Sequence, residues 1–497
     1  MIAARRSCES RSCTHRSWMG AVAVLAGLLS GCSTMGNQGV EVVEPIEAPA
    51  APKVITESTS SAEHKRMVAL FGGAYKNAAI EQYLNAVLQK FDKTGDLGGL
   101  TYKVTILNSP IVNAFALPSG DIFVTRGLLA LANDGSEVAA VMAHEIAHVT
   151  AHHAVAREEQ ERRAAVISKV AQLVQNKQRG AQVEASAKVS IAGFSRQQEL
   201  DADKIGISTI AKAGYDPYGA SRFLAALGRS VALRASLIGQ NATVSKPDIL
   251  ATHPSTPERV EAAVKIARGF GAPGVGTQDR AAYLTAIDGM MFGDDPSEGT
   301  IRGRKFTQPK LGFTFTAPEG FILENSSQAV LGIKDGGLEA LRLDSVSVPA
   351  SQTLDAYAHS GWIDGLLDSS VEKIDVNGLP AVTAAARAGE WNFRLAIIRF
   401  SDDEVYRLVF AVHGLDEAHE TAFRTAIQSF RKIAPNEAEA VKPLRIGLVM
   451  ATQSDRAAVI ANRMVVPDKP LETFELLNGL EGDAALTPGE RYKLVLE

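Results

Sequence analysis

Two stretches of the chain carry apolar residues at the spacing of a helix. The first follows Asp134, a candidate N-cap, and runs to about Ala156, with Glu137 placed to complete a capping box. The second covers residues 205–210, where the apolar pattern of Ile205, Ile207 and Ile210 predicts another helix. We therefore expect residues 63–275 to form a mainly α-helical domain with a small sheet at its edge.

The second half of the chain has the shorter apolar period of strands. Residues 276–300 contain Gly, Asp and Pro without a sustained period, and we interpret them as a linker. Strand patterns at Phe313 and over 391–412 predict an α+β domain at 301–435, in which we find no cluster of ligands or nucleophiles. Residues 444–497 show a strand, two helices and a strand, which predicts a small βααβ domain.

The N-terminus has the pattern of a bacterial targeting segment. Four arginines precede an uncharged run that ends at Gly31 and is too short to span a bilayer. The sequence Leu-Ser-Gly-Cys that ends at Cys32 is similar to a lipobox, so we expect residues 1–31 to be a lipoprotein signal peptide and Cys32 to carry a lipid. The alternative is a plain signal peptide or a short anchor with an incidental cysteine.

The residues after Cys32 indicate where the protein is held. Ser33 favours the outer membrane, and residues 32–62 are rich in Pro, Ala, Glu and Ser, which predicts a solvated tether. Cys8 and Cys13 leave with the signal peptide, so no pair is left for a disulfide. We expect a protein on the periplasmic face of the bacterial cell envelope, bound to the membrane through its lipid.

Length and charge limit the classes of function. A chain of 497 residues is long enough for about three domains. Its formal net charge of -5 gives no reason to expect nucleic-acid binding. The chemistry must be sought in motifs.

One such motif, H-E-x-x-H, lies on the first predicted helix. His144 and His148 are four residues apart and project from one helix face, where their imidazoles can bind one zinc ion. Glu145 is rotated away from the metal and lies beside the water that zinc would hold, as a general base requires. This spacing predicts peptide-bond hydrolysis without a covalent intermediate. Imidazole and carboxylate also suit other divalent ions, although zinc is the usual ion here.

A third ligand is needed, and a downstream acidic run supplies a candidate. Glu199 and Asp203 are one helical turn apart, so Glu199 can bind the metal while Asp203 holds a histidine ring. The alternative is an ordinary acidic helix start stabilised by the helix dipole. We expect His152 and His153, which follow the motif, to be partly exposed helix residues without a metal.

Three stretches resemble the HtpX- and BepA-type family of gluzincin zinc metallopeptidases over roughly residues 63–270. They are Asn113–Gly120 with the following residues to Leu129, the histidine helix, and Ser195–Asp203. The resemblance implies one zinc ion per chain, with Glu199 as its third ligand. It also implies a lipoprotein branch that degrades misfolded or stalled envelope proteins.

The same resemblance suggests how a substrate binds. The stretch that contains Ile122, Phe123 and Val124 alternates as an edge strand should, and together with Asn113 and Ala114 we expect it to bind an extended substrate by main-chain hydrogen bonds. The alternative is a purely structural edge strand.

One further histidine, His253 in a Thr-His-Pro loop, is similar to a family residue that occupies the open zinc position and keeps the enzyme latent. The alternative is a loop histidine without metal contact.

The C-terminal domains carry fainter resemblances. Residues 301–435 are similar to the PsbP and Mog1-like fold, and 444–497 are similar to a LysM module, which implies peptidoglycan as a partner. The usual Gly-Asp-Thr turn is replaced by Ser-Asp-Arg at 454–456, so a packing or protein-binding role stays open. Two hypotheses follow: an endopeptidase of unfolded or misassembled envelope proteins, or a wall-tethered adaptor or chaperone with a latent metal site.

Overall fold

The computed structural model describes residues 57–157, 195–237, 253, 255–326, 329–466 and 468–497. The expected signal peptide, Cys32 and most of the expected tether lie outside these residues. The last part of that tether does not match the prediction, because α1 (Glu57–Leu70) begins within it. No helix in the described ranges combines the length and apolarity needed to cross a membrane.

The N-terminal region is mainly helical around a small sheet, as predicted. After α1 its elements are α2 (Ala78–Asp92), β1 (Lys103–Leu107), β2 (Ala114–Ala116), β3 (Asp121–Thr125), α3 (Arg126–Leu131), α4 (Gly135–Thr150), α5 (Arg196–Lys212), α6 (Gly219–Leu237) and α7 (Pro257–Arg268). The strands lie in the order β1-β3-β2, with β3 parallel to β1 and antiparallel to β2.

The strand order corrects the expected substrate strand. Ile122, Phe123 and Val124 are in the central strand β3, and all three side chains are fully buried. A central strand has both edges hydrogen-bonded to neighbours, so it has no main-chain groups left for a substrate. The alternating sequence pattern suggested an edge strand, but β3 is buried on both faces. Among the described strands of this sheet, β2 is the edge strand on the Asn113 side, and it begins directly after that residue.

The expected linker at 276–300 is also different in the structure. It contains α8 (Arg280–Ile287) and β4 (Met291–Phe292). Tyr283, Ile287 and Met290 are fully buried in the same core as α4, and the Tyr283 hydroxyl donates a hydrogen bond to the Leu129 carbonyl. The helix is short, so its apolar period was too brief to detect, but it packs as part of the core.

The region that follows has the α+β composition that the sequence predicted. Its strands are β5 (Thr300–Arg302), β6 (Lys305–Gln308), β7 (Phe313–Thr316), β8 (Ile322–Asn325), β9 (Val330–Lys334), β10 (Glu339–Ser347), β11 (Glu372–Val376), β12 (Leu379–Ala388), β13 (Trp391–Arg399), β14 (Glu404–Val412) and β15 (Arg431–Lys432). Its helices are α9 (Leu354–Ala358), α10 (Glu417–Gln428) and α11 (Pro435–Glu439), with short 3-10 turns at Pro296–Glu298, Asp335–Gly337 and Asp368–Ser370.

Two antiparallel sheets organise this region. One has seven strands in the order β11-β12-β13-β14-β10-β9-β8, and the other has four in the order β15-β7-β6-β5. Helix α10 packs on the larger sheet, where the Phe423 ring stacks on Phe410 at 4.5 Å between centroids. The region has core clusters of its own, separate from the core around α4.

The last described elements are β16 (Leu444–Met450), α12 (Ala457–Ala461), α13 (Pro470–Asn478) and β17 (Arg491–Leu496). Strand β16 pairs with β17 and with β4, so the three form one sheet. Ile446, Phe474 and Val495 belong to the same core cluster as the residues of α2 and α4. The segment 444–497 is therefore packed into the helical region and does not have a core of its own.

A buried lysine joins these two parts. The side chain of Lys493 in β17 is fully buried, and its ammonium donates to the carbonyls of Ala130 and Ala132 at 2.7 and 2.6 Å. These carbonyls end α3, where a cation is favourable because the helix dipole and the free carbonyls are both negative. Lys493 therefore holds the end of α3 in place just before α4 begins. Glu137, in the first turn of α4, is also buried.

Candidate metal centre

Helix α4 carries the H-E-x-x-H motif, and Asp134 starts it as predicted. The Asp134 carboxylate accepts hydrogen bonds from the amides of Ser136 and Glu137. Glu137 does not complete the expected capping box; its carboxylate accepts from the Asn133 amide, one residue further back. The helix ends at Thr150, earlier than the expected Ala156. The chain therefore changes direction directly after the H-E-x-x-H motif.

Helix α5 brings the acidic residues to the two histidines. A capping box between Ser195 and Gln198 starts it and leaves Glu199 in its first turn. It lies close against α4 at Gly206, where a β-carbon would come within 3.1 Å of the His144 amide nitrogen. A larger residue would require the α4 backbone to shift by a few tenths of an ångström, so this glycine permits the close approach of the helices that carry the histidines and Glu199.

The side chains then meet in one cluster. His144, His148, Glu199 and His253 each offer one ligand atom, and these atoms all lie within 4.8 Å of one another. His144 Nε2 is 3.1 Å from His148 Nε2 and 3.5 Å from Glu199 Oε2. Tetrahedral zinc with bonds of about 2.0–2.1 Å requires ligand atoms roughly 3.3 Å apart. The buried donor set thus fits zinc in both chemistry and spacing.

His253 is part of this cluster. Its Nδ1 lies 2.8 Å from Glu199 Oε1 and 3.3 Å from His144 Nε2, and its Nε2 lies 3.6 Å from Glu145 Oε1. It therefore stands where a fourth ligand or the hydrolytic water would be. This position is the geometry that a latent state would require.

A second layer of side chains holds the ligands. Asp203 Oδ1 lies 3.0 Å from His144 Nδ1, the contact predicted for it, and so fixes the ring. Arg259 of α7 donates to both oxygens of Asp203 at 2.8 Å and lies 2.7 Å from Glu199 Oε2. The sequence did not single out Arg259, because a buried arginine that follows an ordinary N-cap, Thr256, has no signature in a single sequence.

His153 corrects a second expectation. It is buried, with 7% of its surface exposed, and its Nδ1 lies 2.9 Å from Nδ1 of His148. The neighbouring His152 has a φ of 52°, a left-handed conformation that ends the helix and turns His153 inward. His152 itself is exposed, as expected. His153 therefore supports His148 on the face away from the metal.

The carboxylates make the centre favourable for a cation. Burial alone would lower the pKa of His144, but hydrogen bonds to Asp203 and Glu199 raise it to about 9. Burial lowers the pKa of His148, and the charges of His144 and His253 lower it further. Burial raises the pKa of Glu145, which suits a group that must accept a proton. The negative charges of Asp203 and Glu199, which stabilise a proton on His144, also favour a divalent ion at this position.

The comparison with protein families agrees with this geometry. Residues 76–267 match the profile described as "Peptidase family M48". The chain carries a peptidase family M48 domain. This confirms the resemblance to a zinc metallopeptidase family, and the His and Glu donors found here are of the kind that suits catalytic zinc.

Two curated relatives match the M48 domain. "Mitochondrial metalloendopeptidase OMA1" of Arabidopsis thaliana is 36% identical over 166 residues, which is 33% of this chain and 32% of the relative. "Beta-barrel assembly-enhancing protease" of Yersinia pestis is 30% identical over 230 residues, 44% of this chain and 45% of the relative. The chain spans less than half of each, so only the M48 domain is compared. Both names are those of proteases, in agreement with the expected class of enzyme.

One solved structure is only weakly similar to this chain. Cyanobacterial PsbP from Synechocystis sp. PCC 6803 is 16% identical and covers 27% of this chain and 94% of its own, with a TM-score of 0.21. The PsbP-like fold of 301–435 and the LysM-like fold of 444–497 therefore stay predictions.

Removal of the metal should destabilise the M48 domain. Zinc that binds only the folded chain stabilises it by about 4 kcal/mol when free zinc is about a thousand times its Kd. We expect a chelator to lower the midpoint of thermal unfolding, and zinc to restore it. His148→Ala should abolish this zinc-dependent shift, whereas His152→Asn, at an exposed position that tolerates left-handed φ, should retain it. An equal loss in both variants would contradict the assigned ligands.

Proposed function

We propose that the protein is a zinc-dependent endopeptidase that cleaves unfolded or misassembled proteins of the bacterial cell envelope. The observation that carries the proposal is the buried cluster of His144, His148 and Glu199 with Glu145 beside it. A structural zinc site usually has four Cys or His ligands and no adjacent base. A site with three ligands and a neighbouring carboxylate suits hydrolysis.

Each residue of the site has a separate role in the proposed reaction. His144, His148 and Glu199 would hold the zinc, which when bound lowers the pKa of a water and polarises the scissile carbonyl. Glu145 takes the proton from the attacking water and gives it to the leaving amine. Asp203 and Arg259 keep the ligands in place, since Asp203 contacts His144 and Arg259 contacts Glu199.

The edge position of strand β2 supports an endopeptidase that binds the main chain of its substrate. The Thr125 amide donates to the Asn113 carbonyl, and the Leu117 amide donates to the Asp121 carbonyl. Because backbone groups alternate along a strand, those of Ala114 and Ala116 point away from β3. They can pair with an extended substrate beside α4 and so accept many side chains.

The cellular setting is part of the proposal. The lipobox at Cys32 and Ser33 supports a lipid-anchored protein at the outer membrane. The name of the Yersinia relative supports substrates from β-barrel assembly. For 444–497, the shared core with the M48 domain favours a packing role over a free glycan-binding module.

The direct test is cleavage of casein and of an unfolded outer-membrane protein by the mature chain, with zinc measured on the same samples. Cleavage that is lost with a chelator and regained with zinc would support the endopeptidase. Stoichiometric zinc without cleavage of either protein would favour the adaptor or chaperone hypothesis.

His253 gives the proposal a regulatory test. If its ring closes the zinc position in nine of ten molecules, His253→Ala should raise the cleavage rate roughly tenfold. Zinc content should stay at one per chain, because three ligands remain. His359→Ala, at an exposed histidine of the α+β region, is the matched control and should leave the rate unchanged. A rate equal to or below that of the unaltered chain would contradict a latent state.

A further inference from the structure

A wide cleft opens beside the metal centre. Its volume is about 500 Å³, within the range of ligand-binding sites. Asn113, Glu145 and His148 line its inner end, so the cleft reaches the reacting position. Its walls come from α1, β2, the last turn of α4 and the residues 152–157 that follow it, with His253 also in contact.

Part of the cleft wall is apolar. Met67 and Phe71 line it from the α1 side, Phe115 from β2 and Val149 from α4. All four side chains are partly exposed. Apolar surface beside a reactive centre gains free energy when it is covered by apolar groups of a ligand.

Helix α1 is held firmly against the sheet, so this wall is pre-formed. The Phe71 ring lies 5.3 Å from Phe115, which in turn stacks on the buried Phe123 at 4.9 Å. His64 Nδ1 lies 3.2 Å from the Asp121 carboxylate of β3. Helix α1 precedes the matched family range, which begins at residue 76.

A smaller cavity lies on the other side of Glu145. Its volume is about 90 Å³, between that of one water, about 30 Å³, and a cavity of about 150 Å³ that holds benzene. Val141 and Phe223 are among its lining residues. Along α4 it lies towards the N-terminal end, whereas the wide cleft lies towards Val149. An extended chain beside β2 would therefore pass from a narrow pocket into a wide one.

We propose that α1, together with Phe71 directly after it, is a substrate-recognition element, in which Met67 and Phe71 bind apolar side chains of an extended substrate on one side of the scissile bond. The inference rests on the proposed endopeptidase activity. It identifies the substrate class as unfolded chain with adjacent apolar residues, the kind that is buried once a protein has folded.

The experiment compares three internally quenched peptides that differ only next to the scissile bond. One has Leu-Phe before the bond, one has Leu-Phe after it, and one has Ser-Ser on both sides. The chain should cleave one Leu-Phe peptide with a kcat/KM roughly tenfold above the Ser-Ser peptide. Met67→Ser and Phe71→Ser should reduce that ratio roughly threefold or more, mainly through KM.

Leu70→Ser is the matched control, because Leu70 is also on α1 but is 63% exposed and does not line the cleft. Peptide affinity is measured in parallel by fluorescence anisotropy in a Glu145→Gln background, which does not depend on turnover. Ratios and affinities unchanged by Met67→Ser would overturn the role of α1. If no peptide is cleaved but affinity still falls with Met67→Ser, the recognition element stands and the proposed activity fails.

Discussion

Glu145→Gln should lower the rate of peptide cleavage by about 10²- to 10⁴-fold while zinc stays bound at one per chain. The amide has the shape of the carboxylate but cannot take a proton from the attacking water. Glu145 is buried next to the cluster and is not one of its ligand atoms, so the substitution leaves the donor set intact. Single-turnover cleavage of casein, with zinc measured by mass spectrometry, checks both halves of the expectation.

The control for this variant is Glu261→Gln, an exposed position on α7 that makes the same chemical change away from the site. It should cleave at the rate of the unaltered chain. If Glu145→Gln retained more than a tenth of the activity, another group would have to be the base. Loss of zinc in Glu145→Gln would instead show that Glu145 contributes to the metal site.

Lys493→Met should destabilise the M48 domain by about 3–5 kcal/mol, although residue 493 lies far from the metal. The substitution leaves the carbonyls of Ala130 and Ala132 buried without a donor and removes the cation near Glu137. Burial raises the pKa of the Glu137 carboxyl and lowers the pKa of the Lys493 ammonium, while the charge of each group opposes the shift of the other. The midpoint of thermal unfolding should fall by roughly 10 °C or more.

Lys442→Met, an exposed lysine just before β16, is the matched control and should unfold like the unaltered chain. A double variant, Lys493→Met with Glu137→Gln, should recover part of the loss, because it also removes the buried carboxylate charge that the Lys493 cation offsets. A midpoint for Lys493→Met within 2 °C of the control, roughly 1 kcal/mol or less, would refute the idea that this contact supports α4.

The part of the site that lies within one helix could be predicted from the sequence. The spacing of His144, Glu145 and His148 follows from helix geometry, and Asp134 marks the start of that helix. Glu199 and Asp203 could be predicted because a turn of helix separates them and the metal needs a carboxylate.

Contacts between residues on different elements of the fold could not be predicted in this way. Arg259 meets Asp203 from another helix, 56 residues away in sequence. His153 reaches His148 only because His152 adopts a left-handed conformation, and Lys493 bonds α3 from 363 residues away. The choice between β2 and β3 as the edge strand likewise depends on the pairing of strands, which a single sequence does not contain.

The bond from Lys493 to Ala130 spans 363 residues, and this separation affects the order in which a newly made chain can fold. During synthesis the H-E-x-x-H helix leaves the ribosome hundreds of residues before β17 does. Contacts so distant in sequence form late in folding, since a long loop must close first. A nascent or prematurely terminated chain would thus contain all the zinc-site residues identified here but lack the strand that steadies them.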